Sequence, residues 1–296
     1  MTFQINTDTL LSSKIGIGSS FGTFGELLQG VHPDNDLDFL VTLPIQTYSR
    51  AKFSPNLTGE LKMIPETKQK SAQLALRLLK YYHLPLGGTL TIESDLPMGK
   101  GLASSSADLV ATARAIEQAY TIKIPVSTLQ EFMGEIEPTD GVMFPGVVSF
   151  YHRNAKLGEL FGTIPPLTIV AIDEGGEIDT IEYNKSRRLY SHEDKLKYKQ
   201  LVNQLKKAIN EKDIHTIGKM ATQSAIMNQS HLEKKSLKHF RKLCNQYEGL
   251  GVVVAHSGTY IGLLLWKEED TYRDKLEKLR KILQKEYGQV YVFHTL

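Results

Sequence analysis

One cysteine in the whole chain, Cys244, excludes an internal disulfide framework and any zinc site built on cysteines. It falls in a helical, lysine-rich stretch and reads as a structural thiol. No uninterrupted apolar run approaches the length that spans a membrane. Net charge is nearly absent as well. The 35 Lys and Arg against 33 Asp and Glu leave +2, so no general attraction to nucleic acid or to an anionic membrane is expected. Met1 to Ser13 lacks a basic segment followed by an apolar stretch, so no secretory signal is expected and the expected location is cytoplasmic. No internal repeat or low-complexity tract is found. The remainder is 296 residues, 41% apolar and 23% charged, which fits a globular protein of one large or two ordinary domains.

The chemistry concentrates in Pro97-Met98-Gly99-Lys100-Gly101-Leu102-Ala103-Ser104-Ser105-Ser106-Ala107-Asp108. Leu90 to Glu93 before it alternates as a half-buried strand does, and Leu109 to Tyr120 after it is Ala-rich and reads as a helix. A strand, a glycine-bearing loop and a helix start leave unpaired N–H groups and the positive end of a helix dipole facing outward. Small residues let an anion approach that backbone. The stretch therefore predicts a phosphate cradle, with Lys100 and the serine hydroxyls as further donors. The plainer alternative is a turn with an N-cap serine. A Walker loop is excluded, because Ser94 stands where its first glycine belongs, and Gly16-Ile17-Gly18 with Gly22 is spaced one residue too long for a dinucleotide fingerprint.

Around this centre the periodicity predicts strands at Ile15–Ser20, Phe39–Ile45 continuing through Tyr48–Phe53, Val147–Tyr151, Leu167–Ile172, Gly251–Ala255, Tyr260–Trp266 and Val290–His294. Helices are expected within Glu66–His83, with Ala72, Leu74, Ala75, Leu78 and Leu79 as its buried face, from Pro125 to Gly134, across Ser191–Tyr247 with breaks near Asp213 and Ser230, and over Glu268–Tyr287. Ser127 and Gln130 have capping-box spacing. Phe21–Gly30 reads as a glycine-closed loop presenting Glu26 or Gln29. Glu135–Gly141 reads as a carboxylate-rich loop, His256–Thr259 as a turn, and Gly158–Pro166 as loop-like and a candidate domain boundary. Asn228 and Gln229 either face a pocket or end a helix. Strands and helices interleave without a βαβ repeat, which favours an α+β fold.

Pro97 to Asp108 resembles the second motif of the GHMP kinase superfamily, named for galactokinase, homoserine kinase, mevalonate kinase and phosphomevalonate kinase. Gly25–Gly30 followed by Leu40–Ile45, Glu137–Gly141 and Ala255–Thr259 resemble the L-threonine kinase branch associated with propanediol utilisation and cobalamin synthesis. The usual first motif is absent, the third is reduced to His256–Thr259, and Thr23-Phe24 stands where that branch often has Ser-Cys.

The resemblance implies a two-domain α+β fold: a ribosomal-S5-like N-terminal, ATP-binding domain over 1–160 and a ferredoxin-like C-terminal domain over 161–296. It implies an ATP-dependent kinase of an alcohol group on a small metabolite, L-threonine or a related hydroxy amino acid first. Homoserine, mevalonate, a sugar or a specialised-metabolite intermediate remain as other acceptors, and a non-catalytic nucleotide sensor is the alternative on the same fold. ATP would lie on Pro97, Gly99, Lys100, Gly101, Leu102, Ala103, Ser104, Ser105 and Ser106. Asp140 and Lys100 would be catalytic. Glu26, Gln29, Thr139, Asn228, His256 and Ser257 would bind the acceptor. Mg²⁺ would be held by Ser104 or Ser105 and a carboxylate, with Glu137 taken first and Glu135 and Glu131 also eligible by spacing. A homodimer is left open.

Overall fold

The computed structural model describes residues 14–32, 34–176 and 190–296. The reading of Met1 to Ser13 lies outside them. Two long antiparallel strands, β1 (Gly16–Val31) and β2 (Asp38–Pro55), form the spine. Beside β2 run β4 (Gly88–Ser94), antiparallel to it, and β3 (Leu61–Ile64), parallel to β4. Helices α1 (Gln69–Tyr81), α2 (Ser104–Tyr120) and α3 (Val126–Gly134) cover this part. The hairpin of β5 (Val147–Tyr151) and β6 (Lys156–Gly162) attaches to β2.

The second half contributes β7 (Leu167–Asp173), α4 (His192–Glu211), α5 (Ile214–Met227), α6 (Leu237–Gln246), β8 (Gly251–Val254), β9 (Tyr260–Trp266), α7 (Tyr272–Tyr287) and β10 (Tyr291–His294). Its strands join the first half in one sheet, in the order β10-β7-β9-β8-β1-β2-β4-β3. The expected division at residue 160 therefore falls at the end of β6, beside a sheet that runs through both halves. The mixed α+β architecture stands as expected. Among the described residues no helix is long and apolar enough to cross a membrane.

The glycines of β1 explain how α2 is held. A Cβ on Gly16 would lie 2.0 Å from the Ala115 carbonyl oxygen, and one on Gly18 2.2 Å from that of Ala111. Gly-x-Gly is here a device that lets a strand touch a helix backbone, which is why it only half resembles a dinucleotide motif. α2 answers with alanines, and its Leu109, Val110 and Ile116 are buried in the same core as Leu74, Leu78 and Leu79 of α1.

Several local expectations are corrected. Phe21–Gly30 is not a loop. It is the second half of β1, bent by register shifts at Phe21/Gly22, Thr23/Glu26 and Glu26/Leu28, so its glycines mark bulges and close approaches rather than an exit from the sheet. Gly158–Pro166 begins within β6. Gly158 is there because a Cβ would meet the Ser149 hydroxyl of the facing strand at 2.5 Å. Ser127 does not cap α3: the helix already begins at Val126, with Pro125 in the N-cap position and no side-chain cap, and Gln130 instead donates to the Ala155 carbonyl at 2.7 Å. The last helix begins at Tyr272, later than Glu268. The breaks at Asp213, which caps α5, and at Ser230 are as expected. Cys244 is buried in α6, and burial pushes its thiol up to about 11, the inert structural cysteine anticipated.

Candidate active site

Between β4 and α2 the chain turns through Gly99 (φ +69°), Gly101 (φ +79°) and Ala103 (φ +56°). Ala103 occupies the N-cap position of α2 and offers no side-chain cap. An alanine in the left-handed region is strained, and such strain persists where surrounding contacts impose it. Those contacts are backbone hydrogen bonds: Thr23 N–H donates to the Leu102 carbonyl (3.2 Å), Gly25 N–H to that of Gly101 (3.0 Å) and Thr259 N–H to that of Lys100 (3.3 Å). The loop's carbonyls are thus turned back onto β1 and the β8–β9 turn. Gly258 presses closest, since a Cβ there would sit 2.1 Å from the Lys100 carbonyl oxygen. The opposite side of the loop, Gly99 and Gly101 to Ser106, forms one wall of a pocket of roughly 690 Å³ including its mouth.

The loop after α3 forms the facing wall. The Ser105 hydroxyl donates to one oxygen of Glu137, and the other oxygen pairs with Lys70 of α1. Glu137 is buried, whereas Glu135 pairs with Arg77 at the surface and Glu131 is exposed on α3. Of the three eligible carboxylates, only Glu137 lines the pocket. Ser106 organises its neighbours: its Oγ accepts from the Asp140 N–H (3.0 Å) and the Thr139 hydroxyl (2.9 Å) and donates to Asp140 Oδ2 at 3.3 Å. Burial, Glu26 and Glu137 together raise the Asp140 carboxyl to about 7, against the pull of the Ser106 hydrogen bond.

The far end of the pocket comes from β1 and the turn after β8. Glu26 Oε2 accepts from both the backbone N–H of His256 (3.0 Å) and its ring Nδ1 (2.9 Å). The other ring nitrogen meets Ser224 Oγ of α5 at 2.8 Å, and Ser224 Oγ accepts from the Gln29 N–H at 3.3 Å. This chain is complete with a neutral imidazole protonated at Nδ1. Gln29 is buried, lines the pocket, and its Oε1 has no hydrogen-bond partner.

The structure therefore brings together Gly99, Gly101, Leu102, Ala103, Ser104, Ser105, Ser106, Glu26, Gln29, Glu137, Thr139, Asp140 and Ser257 around one pocket. Four expected residues are placed elsewhere. Pro97 is exposed on the outer side of the loop. The Lys100 ammonium is engaged by Asp173 Oδ2 (2.8 Å) and the Gly176 carbonyl (2.6 Å) and is not on the wall. His256 is fully buried behind Glu26 and does not line the pocket. Asn228 is buried at the end of α5 and does not line the pocket. Sequence reasoning missed Lys70, Ser224 and His152, which lines the pocket. Each reaches its neighbours across the fold, and no local pattern marks it.

An anion-ready helix start facing a carboxylate of raised pKa, within one pocket, is the equipment of a phosphotransferase acting on a small hydroxyl compound. Comparison with known proteins agrees. Residues 69–145 match the GHMP kinases N terminal domain. The L-threonine kinase of Salmonella typhimurium is 27% identical over 263 residues, 86% of this chain and 85% of that protein. The homoserine kinase of Methanopyrus kandleri is 24% identical over 86% of this chain and 85% of its own. Among solved structures, homoserine kinase from Cytophaga hutchinsonii shares the fold with a TM-score of 0.70 at 16% identity, covering 99% of this chain and 96% of that one. L. major mevalonate kinase in complex with R-mevalonate gives 0.66 at 18% identity, covering 96% and 95%. The chain thus carries a GHMP kinase N-terminal domain over residues 69–145, has the fold of these kinases, and is similar over most of its length to the L-threonine kinases.

Proposed function

We propose that this protein transfers the γ-phosphoryl group of ATP to the hydroxyl of L-threonine or a closely related hydroxy amino acid. The observation that carries this reading is the acceptor end of the pocket. Glu26 and the unpartnered, buried Gln29 Oε1 offer two oxygen acceptors there, which suits an ammonium group. Mevalonate and simple sugars bring no ammonium, and they would leave that end unsatisfied.

The triphosphate lies against Gly99 and Gly101 to Ser106, where backbone N–H groups and the helix dipole favour negative charge. Lys100 has no part in this reading, because its ammonium is held by Asp173 and Gly176. The Ser104 and Ser105 hydroxyls and the Glu137 carboxylate are hard oxygen donors of the kind Mg²⁺ takes. Among the described residues no cluster of three or more His, Cys, Asp or Glu suits a resident metal, which fits an ion that arrives with the nucleotide and keeps several waters. When bound, the ion would neutralise charge on the phosphates.

Asp140 accepts the hydroxyl proton. The hydroxyl oxygen bonds to the γ-phosphorus as the bond to the bridging oxygen breaks, and ADP leaves. A carboxyl near 7 matches that task at neutral pH, and Ser106 fixes its orientation. His256 and Ser224 act through Glu26 by holding its carboxylate in place. A coupled ADP-release assay over L-threonine, L-serine, homoserine, mevalonate and simple sugars tests the reading. Turnover is expected for the hydroxy amino acids and greatest with threonine. Turnover with mevalonate alone would overturn the acceptor and leave the kinase.

A further inference from the structure

The N-terminal turn of α1 sends two lysines to the phosphate-loop region, and they are held very differently. Lys68 Nζ pairs with Asp108 Oδ2 at 2.6 Å, and Ser49 Oγ donates to Asp108 Oδ1 at 2.5 Å. Both side chains of that pair are nearly sealed, at 12% and 4% exposure, and every partner belongs to the framework. It is a strut. Lys70 pairs with Glu137, yet its side chain is 41% exposed against 4% for Glu137. A buried carboxylate that also accepts from Ser105 is thus neutralised by an ammonium on a flexible stem with open solvent beside it.

From this asymmetry we propose that Lys70 is an exchangeable internal cation. It occupies Glu137 while no metal is bound and yields that carboxylate to a divalent ion entering with the nucleotide. The inference rests on the reading of Ser105 and Glu137 as the metal-facing pair. A buried carboxylate without a cation is costly, so Glu137 needs one in every state. The cost of releasing Lys70 is small because its ammonium can rehydrate on the exposed side. The metal must displace a lysine, so free metal binds weakly. The nucleotide adds its own phosphate oxygens, and the metal–nucleotide complex displaces Lys70 readily. Lys70 is a positioning residue that makes metal capture conditional on nucleotide.

The test is a titration of nucleotide-free protein with Mn²⁺, read by loss of the free-ion electron paramagnetic resonance signal. Wild type, Lys70→Arg, Lys70→Met, and Lys70→Met combined with Glu137→Gln are compared. Lys70→Met is expected to bind Mn²⁺ roughly tenfold or more tightly than wild type, the scale of removing a charged hydrogen bond. Lys70→Arg should stay weak, and the double variant should lose the gain. Lys70→Gln, which keeps a polar group beside Glu137, replaces Lys70→Met should the latter not fold, and the same gain is expected of it. Equal Mn²⁺ affinity in wild type and Lys70→Met overturns the exchange. A gain that survives Glu137→Gln overturns both the exchange and the Ser105–Glu137 assignment beneath it. With Glu137→Gln alone added and Mg-ATP binding followed by calorimetry, loss of metal-dependent nucleotide binding in Glu137→Gln, beside unchanged Mn²⁺ affinity in Lys70→Met, overturns the exchange and keeps the Ser105–Glu137 assignment.

Discussion

The two ends of the pocket are built from different material. At the nucleotide end, Gly99 to Ser106 work through backbone: three framework N–H groups hold the loop's carbonyls, and small residues keep the helix start open. At the acceptor end, Glu26, His256 and Ser224 work through side chains joined in one buried hydrogen-bond chain, which the backbone N–H of Gln29 closes. A backbone cradle suits any phosphate and is hard to alter by substitution, whereas a side-chain cage suits one ligand and is altered by a single residue. Generality sits at one end and choice at the other, with Asp140 between them.

The sharpest separation should come from Asp140. Asp140→Asn is expected to lower kcat roughly 10²–10⁴-fold, the usual share of general acid–base catalysis, with the affinity for ATP little changed in calorimetric titration. In the parent enzyme the carboxylate form is the active one, so kcat should rise as pH climbs through about 7 and level off above it. The variant should lack that limb. Because the native carboxyl titrates above its ordinary 3.8, folding is linked to proton uptake between the two values and stability falls as pH rises across that window. The substitution should therefore raise the melting temperature at pH 8. A fall in melting temperature with turnover per folded molecule intact would make Asp140 structural.

Next in size is the acceptor end. Glu26→Gln should raise KM for the hydroxy amino acid by roughly 30-fold or more, the scale of breaking a buried charge-assisted pair, while KM for ATP stays within a factor of two or so. A change shared equally by both substrates would erase the division between the two ends.

At the nucleotide end, Gly258→Ala forces a Cβ against the Lys100 carbonyl, and the loop must move. Ser104→Ala and Ser105→Ala each remove one hydroxyl. All three should shrink the rise in melting temperature that Mg-ATP induces, Gly258→Ala most, and leave the preference among acceptors unchanged. An unaltered thermal shift in all three would move the triphosphate off this loop.

The smallest effect belongs to Lys100→Ala. Its partner Asp173 is held below the usual carboxylate range: burial would raise it, but the Lys100 hydrogen bond and other contacts outweigh that. Losing a partly exposed pair of this kind costs about 0–1 kcal/mol, and kcat/KM for ATP should change less than about threefold. A large loss would return Lys100 to the phosphates.

These differences track what could be read from the sequence. The strand, loop and helix from Leu90 to Tyr120 were legible because their parts are adjacent: strand, glycines, serines and Ala-rich helix follow one another. The α+β pattern, the amphipathic face of α1 and the helix break near Asp213 were legible for the same reason. Lys100 looked like a phosphate lysine because the string cannot show that β7 ends beside it with Asp173. The glycines of Phe21–Gly30 looked like breaks because the helix and turn they press against are remote in sequence. The cage at Glu26 was the least legible. His256 lies 230 residues away and was expected at the ligand itself. Its place behind the carboxylate is a property of packing, as is the role of Ser224, which nothing nearby in the chain announces.

The seam of the sheet bears on all of this. β1 and β8 meet at one paired position, Glu26 opposite Val254, and a bridge between Ile45 and Thr295 makes a second join between the two halves. The residue that would greet the acceptor is thus also part of the join between the halves, together with the Gln29–Ser224 hydrogen bond and the packing of Gly30 on Tyr198 of α4, so a substitution at Glu26 disturbs a junction of the fold as well as the acceptor's seat.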